Sequence, residues 1–338
     1  MPSLRELRTV FLGSPTFALP SLEALVKAGV HIVGVVTQPD KPAGRGNRVT
    51  APPVKRWAED HNLPVFQPKG LKKEENRAFL PPLAPDLLVV VAYGKILPKE
   101  VLDLPKFGTV NVHASLLPKY RGPAPIPAAI LAGDTETGVT IMKLDEGMDT
   151  GPTLAMERTP IAPDDTTGTL LKKLADVGAR LLIPILERYI QHQFSPATRS
   201  LPSREAHGAK WDGEVWPTPQ DDARATICPM IAKDDGKIDW SQPAAQIERM
   251  VRAYTPWPRA FTHWNGKRLL IHRAHVRTRE DTPAVPTGQV MQDADGVAVG
   301  AGEGLLVLDE IQLEGGNVLP ASAFVRGRRG FVGSTLGD

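Results

Sequence analysis

The sequence predicts an α/β protein in two parts: a doubly wound, mostly parallel sheet over residues 1–194, then a small β-barrel over residues 223–338, with a linker at 195–222 between them. Three observations predict it. Short, predominantly apolar runs recur at residues 9–12, 30–37, 86–92 and 109–113, with helical spacing between them. Strands buried on both faces of a parallel sheet read as continuous apolar runs, because helical crossovers cover both sides. A polar, proline-bearing stretch without period then interrupts this alternation at 195–222, and beyond it the runs shorten and glycine-rich turns divide them, which suits a small barrel. A chain of 338 residues also exceeds one typical domain.

Each element follows from local pattern. Residues 9–12 form a strand that ends at Gly13-Ser14-Pro15, a turn without the GxGxxG spacing of a dinucleotide loop. Residues 18–27 place Leu19, Leu22, Leu25 and Val26 at helical spacing and stop at Gly29. Residues 30–37 are rich in β-branched side chains; a helix at 53–61, an extended piece at 63–66 and a helix at 72–80 follow. Residues 86–92 give the strongest buried-strand signal and 109–113 the next, followed by a helix at 125–132. Residues 138–144 and 153–159 read as two strands around a loop at 145–152. Asp164 and Asp165 offer caps for a long helix at 168–193, with Pro184 as a kink. In the second part, strands are expected at 268–272, 288–291, 296–299 and 304–308, and a helix at 244–252. Trp240 and Trp257 are expected to anchor the barrel, and Cys228 to be a small buried hydrophobe.

Composition narrows the function classes. Apolar residues make up 41% and charged residues 23% of the chain, ordinary values for a soluble globular protein. The single cysteine excludes an internal disulfide and a cysteine-cluster metal site, and the expected compartment is the cytoplasm. Neither a signal-peptide pattern nor a membrane-spanning run is apparent, so no membrane partner is expected. The net charge is only +2, with the basic excess in residues 1–205 and a slight acidic excess in 206–338. Any nucleic-acid contact therefore has to come from a local patch.

The most informative stretch is Asn111-Val112-His113-Ala114-Ser115-Leu116-Leu117-Pro118-Lys119-Tyr120-Arg121-Gly122. Positions i and i+2 of a strand share a face, so Asn111 and His113 aim together at a strand's carboxyl end, where ligands bind in open α/β sheets. A neutral amide donor can hold an oxyanion, and an imidazole can donate or shuttle a proton near neutrality. The loop at 145–152 adds three carboxylates, Asp145, Glu146 and Asp149, and spacing alone does not choose among them. Taken alone, an Asn-x-His pair on a strand is more often a structural cap pair than a catalytic one.

NVHASLLPKYRGPAPI together with DEGMDTGP resembles the formyltransferases that draw on 10-formyltetrahydrofolate. FLGSPTFA, TQPDKPAGRGNRV, VVVAYGKILP, KDDGKIDWS, RAYTPWPRAF and LPASAFVRGRRGF stand in the order found in the methionyl-tRNA branch of that family. The resemblance implies a Rossmann-like catalytic domain and an OB-like barrel. It implies Asn111, His113 and Asp149 as the catalytic set, with Asp149 orienting His113 or relaying the proton through water. It places the folate between Ser115-Leu116-Leu117-Pro118 and a wall of Tyr93, Gly94, Ile96 and Leu97.

The same resemblance makes the segment at 41–49, with Lys41, Arg45 and Arg48 and no acid, a contact for the tRNA acceptor stem. Lys233, Lys267, Arg268 and Arg273 are the expected tRNA contacts of the second part, and further basic groups stand nearby at Arg277, Arg279, Arg326, Arg328 and Arg329. The family pattern has a lysine where this chain has Met230. The implied reaction moves a formyl group from 10-formyltetrahydrofolate to the α-amine of methionyl initiator tRNA, releasing tetrahydrofolate, with no metal and with the enzyme as a monomer. The alternatives are an amino-sugar nucleotide or glycinamide ribonucleotide as acceptor, or a non-catalytic RNA-binding protein on the same fold.

Overall fold

The first sheet starts from β1 (Arg8–Gly13), whose last five residues are all buried, as an apolar run covered on both faces has to be. The computed structural model describes residues 3–43, 48–194, 216–277, 285–293 and 296–337. After β1 come α1 (Leu19–Lys27), β2 (His31–Val36), β3 (Lys41–Ala43), β4 (Arg48–Thr50), α2 (Pro53–Asp60), β5 (Val65–Phe66), α3 (Glu74–Arg77), β6 (Leu87–Val91), α4 (Lys99–Leu102) and β7 (Thr109–His113). The chain continues through α5 (Pro125–Ala132), β8 (Glu136–Lys143), β9 (Thr153–Pro160) and α6 (Thr167–Phe194). The sheet order is β5-β2-β1-β6-β7-β8-β9. Pairing is parallel from β5 to β7 and antiparallel at β7–β8 and β8–β9. This is the mostly parallel, doubly wound sheet that the sequence predicts.

The later part holds α7 (Ala244–Ala253), β10 (Ala260–Trp264), β11 (Lys267–Val276), β12 (Val290–Asp293), β13 (Gly296–Gly300), β14 (Leu305–Leu313), β15 (Leu319–Pro320) and α8 (Ala321–Arg326). Its strands form a barrel-like antiparallel sheet in the order β10-β11-β14-β13-β12, with β15 paired to β14. Contacts divide the chain into two units. One comprises Met1–Pro125, Glu136–Pro160 and Leu171–Pro229; the other comprises Ile126–Thr135, Ile161–Leu170 and Met230–Asp338. The core of the first gathers Val10, Leu12, Val36, Leu88, Val90 and Tyr93, and that of the second gathers Trp240, Leu269, Ile271, Leu306, Phe324 and Phe331.

Some expectations change on contact with the structure. Only Glu74–Arg77 of the segment at 72–80 is α-helical, and a 3-10 turn follows at Pro81–Leu83. Neither Asp164 nor Asp165 caps α6 directly. Thr166 Oγ1 accepts the Thr169 amide at 3.2 Å, while Asp165 accepts the Thr169 hydroxyl at 2.8 Å. Pro184 lies inside α6 without ending it. Trp240 is buried and donates Nε1–H to Thr262 Oγ1, whereas Trp257 is 56% exposed and anchors nothing. The β3–β4 pair, α4, β10 and α8 are elements that the periodicity did not predict. The linker predicted at 195–222 lies outside the described residues up to 215; from Trp216 to Pro229 the chain belongs to the first unit.

Candidate active site

β7 is buried along its whole length, with Val110 and Val112 facing one way and Asn111 and His113 the other. Asn111 stands opposite Val90 on β6 and Met142 on β8, and His113 opposite Thr140. Both side chains are at least nine-tenths buried, at 8% and 6% exposure. Burying such groups is unfavourable unless partners are supplied, and partners are present. Asn111 Nδ2 donates to Asp149 Oδ1 across a long 3.4 Å. His113 Nε2 lies 2.9 Å from the Tyr120 carbonyl, and His113 Nδ1 lies 3.6 Å from Asp149 Oδ2. A carbonyl only accepts, so Nε2 carries a proton. The other ring nitrogen then faces a carboxylate, so the ring satisfies both neighbours when both nitrogens are protonated.

Asp149 has a left-handed φ of +54°, a conformation that aspartate tolerates better than most residues with a side chain. Its Oδ2 accepts the Gly122 amide at 2.9 Å. Glycine is needed at 122, where φ is +119° and an added Cβ would stand 2.4 Å from the Cys228 carbonyl. Gly151, two residues after Asp149, would place a Cβ 1.9 Å from the Lys143 carbonyl. Asp145 instead turns back on its own loop, accepting from Gly147 N and Thr150 Oγ1. Glu146 is exposed and lies 3.7 Å from Lys99. The geometry thus brings Asn111, His113 and Asp149 together and leaves the other two carboxylates out.

A strap from Trp216 to Cys228 lies across these loops. Trp216 Nε1 donates to Leu154 O, and Thr218 pairs with Thr153. Gln220 Nε2 donates to the carbonyls of Asp149 and Gly151 at 2.8 and 2.7 Å. Arg121, 5% exposed, donates through Nε and Nη2 to Gln220 Oε1 and through Nη2 to Asp222 Oδ1. The Tyr120 amide donates to Thr226 Oγ1. Cys228 is buried beside the carbonyls of Tyr120 and Arg121, and burial pushes its thiol above the ordinary range. Sequence reasoning missed Arg121, Gln220, Asp222 and Thr226, since nothing in the pattern pairs residues about a hundred positions apart.

The expected folate residues divide. Ser115 is fully buried: its hydroxyl donates to Lys119 O, and its carbonyl accepts from Thr140 Oγ1 at 2.6 Å. Leu117 is buried, with its amide donating to Thr140 Oγ1, while Leu116 and Pro118 are half-buried. Tyr93 and Leu97 turn into the core of the first unit instead of forming an open wall, and burial pushes the Tyr93 phenol up to about 12. Gly94 and Ile96, the latter 67% exposed, remain at the surface.

The basic residues also divide. Lys41 and Arg48 are exposed on β3 and β4, and Arg45 lies outside the described residues, as does Arg279. Lys233 and Lys267 are exposed, and Met230 is 77% exposed. The Arg268 guanidinium lies 3.5 Å from the centre of the Phe261 ring. Arg273 faces Glu310 at 3.5 Å and Asp309 at 3.8 Å, so acids of its own sheet balance it. His272 is held between Arg259 and Gln312; burial, and then the Arg259 charge, keep its pKa below the ordinary histidine value. Among the described residues no group of histidine, cysteine and carboxylate side chains could hold a metal ion, and no helix is long and apolar enough to cross a membrane.

Comparison with known proteins places this architecture. The family of formyl transferases matches residues 7–186, and the family of formyl transferase C-terminal domains matches residues 230–329. Fold and site together define an enzyme of the formyltransferase class. The methionyl-tRNA formyltransferase of Myxococcus xanthus is 47% identical over 328 residues, 97% of each chain. That of Roseiflexus castenholzii is 48% identical over 333 residues, 98% of this chain and 99% of the relative. The chain belongs to the methionyl-tRNA formyltransferase family. Among solved structures, the sugar 3N-formyl transferase WlaRD, determined in the presence of dTDP and 5-N-formyl-THF, shares the fold at a TM-score of 0.63 and 16% identity, covering 92% of this chain and 99% of that one. HypX from Aquifex aeolicus, in complex with tetrahydrofolic acid, matches at 0.58 and 18% identity over 97% of this chain and 48% of its own length.

Proposed function

We propose that this protein transfers the formyl group of 10-formyltetrahydrofolate to the α-amine of methionyl initiator tRNA, giving N-formylmethionyl-tRNA for translation initiation. The observation that carries the reading is the meeting of Asn111, His113 and Asp149 at the carboxyl end of β7. The near-identity in length and the 47–48% identity to the two methionyl-tRNA formyltransferases favour the tRNA amine over a sugar or ribonucleotide amine.

The residues suit a folate co-substrate. The loops after β6 and β7 leave neighbouring parallel strands at the same end, where exposed backbone at Ala92 and Gly94, exposed Ile96 and half-buried Leu116 and Pro118 offer a mixed surface for a flat amphipathic ring system. When bound, the co-substrate supplies the activated formyl group. Asn111 Nδ2 has two N–H groups; one reaches Asp149 and the other is available to the formyl oxygen as negative charge grows on it. The substrate amine is itself the nucleophile, so no serine or cysteine is required. The proton that the amine sheds passes to the Asp149 carboxylate and on to the nitrogen that the formyl group leaves, so that tetrahydrofolate departs neutral and the carboxylate is restored; the His113 imidazole beside Asp149 orients it. Tyr120 O, fixed on His113 Nε2, keeps the ring from turning away.

Ser115, Leu116, Leu117 and Pro118 shape the folate side largely through backbone and packing. Lys41, Arg45, Arg48, Lys233, Lys267, Arg268 and Arg273 are the proposed tRNA contacts, with Arg273 the weakest because Asp309 and Glu310 already oppose it. The enzyme is proposed to act as a monomer in the cytoplasm, which light scattering at assay concentration and cell fractionation check. The test of function supplies methionyl initiator tRNA, a dTDP-amino sugar and glycinamide ribonucleotide in parallel with 10-formyltetrahydrofolate. Formylation of the tRNA alone is expected; turnover of another acceptor in its place would overturn the reading.

A further inference from the structure

We propose that Gln220 is a positioning residue for formyl transfer, set by Arg121, which holds the Asp149 backbone in the left-handed conformation that presents its carboxylate to Asn111 and His113. This rests on the proposed reaction and names a residue outside its catalytic set.

Asp149 adopts φ +54°, a left-handed turn open to aspartate and to few other residues with a side chain, so the direction of its carboxylate depends on what fixes that turn. One side-chain amide spans that turn: Gln220 Nε2 donates to the carbonyls of both Asp149 and Gly151, at 2.8 and 2.7 Å. The amide can take only one orientation. Its oxygen accepts two N–H groups of Arg121, at 3.0 and 2.9 Å, so the nitrogen has to face the two carbonyls. Arg121 is 5% exposed, and Asp222 takes the remaining charge of its fork at 2.7 Å.

The arginine holds the other side of the site as well. Its backbone N–H donates to Thr226 O and its carbonyl accepts from Cys228 N. It lies between Tyr120, whose carbonyl faces His113, and Gly122, whose amide donates to Asp149 Oδ2. A closed ring results: Asp149 backbone, Gln220, Arg121, Gly122 and the Asp149 carboxylate. The Gln–Arg contact therefore joins the turn that carries Asp149 to the segment that carries Tyr120, the two partners of His113.

Gln220→Glu tests this without changing shape. A carboxylate still accepts both Arg121 N–H groups, more strongly than an amide, but it turns an acceptor toward the Asp149 and Gly151 carbonyls. The two donors are lost while the fold's ion pair is kept. The expected result is a fall in single-turnover rate of about 10–100-fold, the scale of a misplaced catalytic group. KM for methionyl-tRNA and for 10-formyltetrahydrofolate should stay within about twofold, as expected when an interaction made only in the transition state is lost, and the pH profile of the rate should shift. Because Gln220 acts through Asp149, the double variant Asp149→Asn/Gln220→Glu should be little slower than Asp149→Asn alone.

A Gln220→Glu enzyme with the wild-type rate and pH profile would overturn the proposal. So would a rate loss that follows a lowered Tm and vanishes at lower temperature, or losses that multiply in the double variant. Failure of the wild-type enzyme to formylate methionyl-tRNA would instead sink the proposed reaction, so the two failures are distinguishable.

Discussion

Both units bury aromatic rings, but the first also gathers buried polar groups at one place, whereas the second gathers its rings at the centre. At the end of β7, Asn111, His113 and Arg121 are withdrawn from solvent at 8%, 6% and 5% exposure, and each is met by a carboxylate, an amide or a carbonyl. In the barrel-like unit the centre is Trp264, Phe324 and Phe331, packed edge to face with centroids 5.0–5.9 Å apart. Among its charges, Arg273 is two-thirds exposed and already faces two acids. A buried polar group has to have its partners built in, so it marks where chemistry is fixed. An exposed charge is inexpensive and adaptable, and it gains meaning only from what it meets. Under the proposed function, the buried cluster is the place for making bonds and the exposed charges are the ones free to meet a large anion.

The comparison breaks most visibly at β7. Asn111→Ala and His113→Ala are each expected to lower the rate about 10²–10⁴-fold, the range for losing an oxyanion donor or a proton-transfer group. Single-turnover formylation at saturating tRNA measures this, and a loss under threefold in either variant would show that the buried cluster is structural.

A second prediction concerns stability at high pH. Tyr189 is buried in the first unit and donates its hydroxyl to Phe107 O, and burial pushes its phenol up to about 12. An unfolded tyrosine ionises near 10, so the folded state binds this proton more tightly. Stability linked to it is intact below about pH 10 and falls as pH rises toward about 12, by on the order of 2–3 kcal/mol. Urea midpoints of wild type and Tyr189→Phe should therefore converge over that window; curves that stay parallel would contradict it.

The smallest effect belongs to the exposed charges. Lys267→Ala is expected to leave the saturated rate unchanged, raise KM for tRNA a few-fold and reduce the slope of log affinity against log salt by about one unit if it meets a phosphate. An unchanged salt dependence would remove Lys267 from the tRNA surface.

Much of this division is legible in the sequence, for reasons that differ by residue. The strands of the first sheet are uninterrupted apolar runs, and Asn111 and His113 stand two apart on one of them, so their shared face follows from strand geometry alone. Asp149 is selected by family resemblance and not by spacing, because its left-handed turn is held by Gln220, 71 residues away. Arg121 and Gln220 are 99 residues apart, with a polar, proline-bearing stretch between them, and no periodicity announces such a pair. Trp257 misleads in the other direction: a large aromatic beside two prolines looks like a core anchor, yet tertiary packing leaves it open and gives the role to Trp264. β10 escapes notice because the proline-rich turn before it masks a short strand.

The most direct measurement compares wild type with Asp149→Asn, which keeps the side chain's shape and tolerates the left-handed turn while removing the charge. With methionyl initiator tRNA and 10-formyltetrahydrofolate, wild type should place the formyl group on the methionine amine. Asp149→Asn should do so at least about 100-fold more slowly, with tRNA binding unaltered. Equal rates for the two proteins, or no formylation by wild type, would contradict the assignment of this carboxylate to the reacting amine.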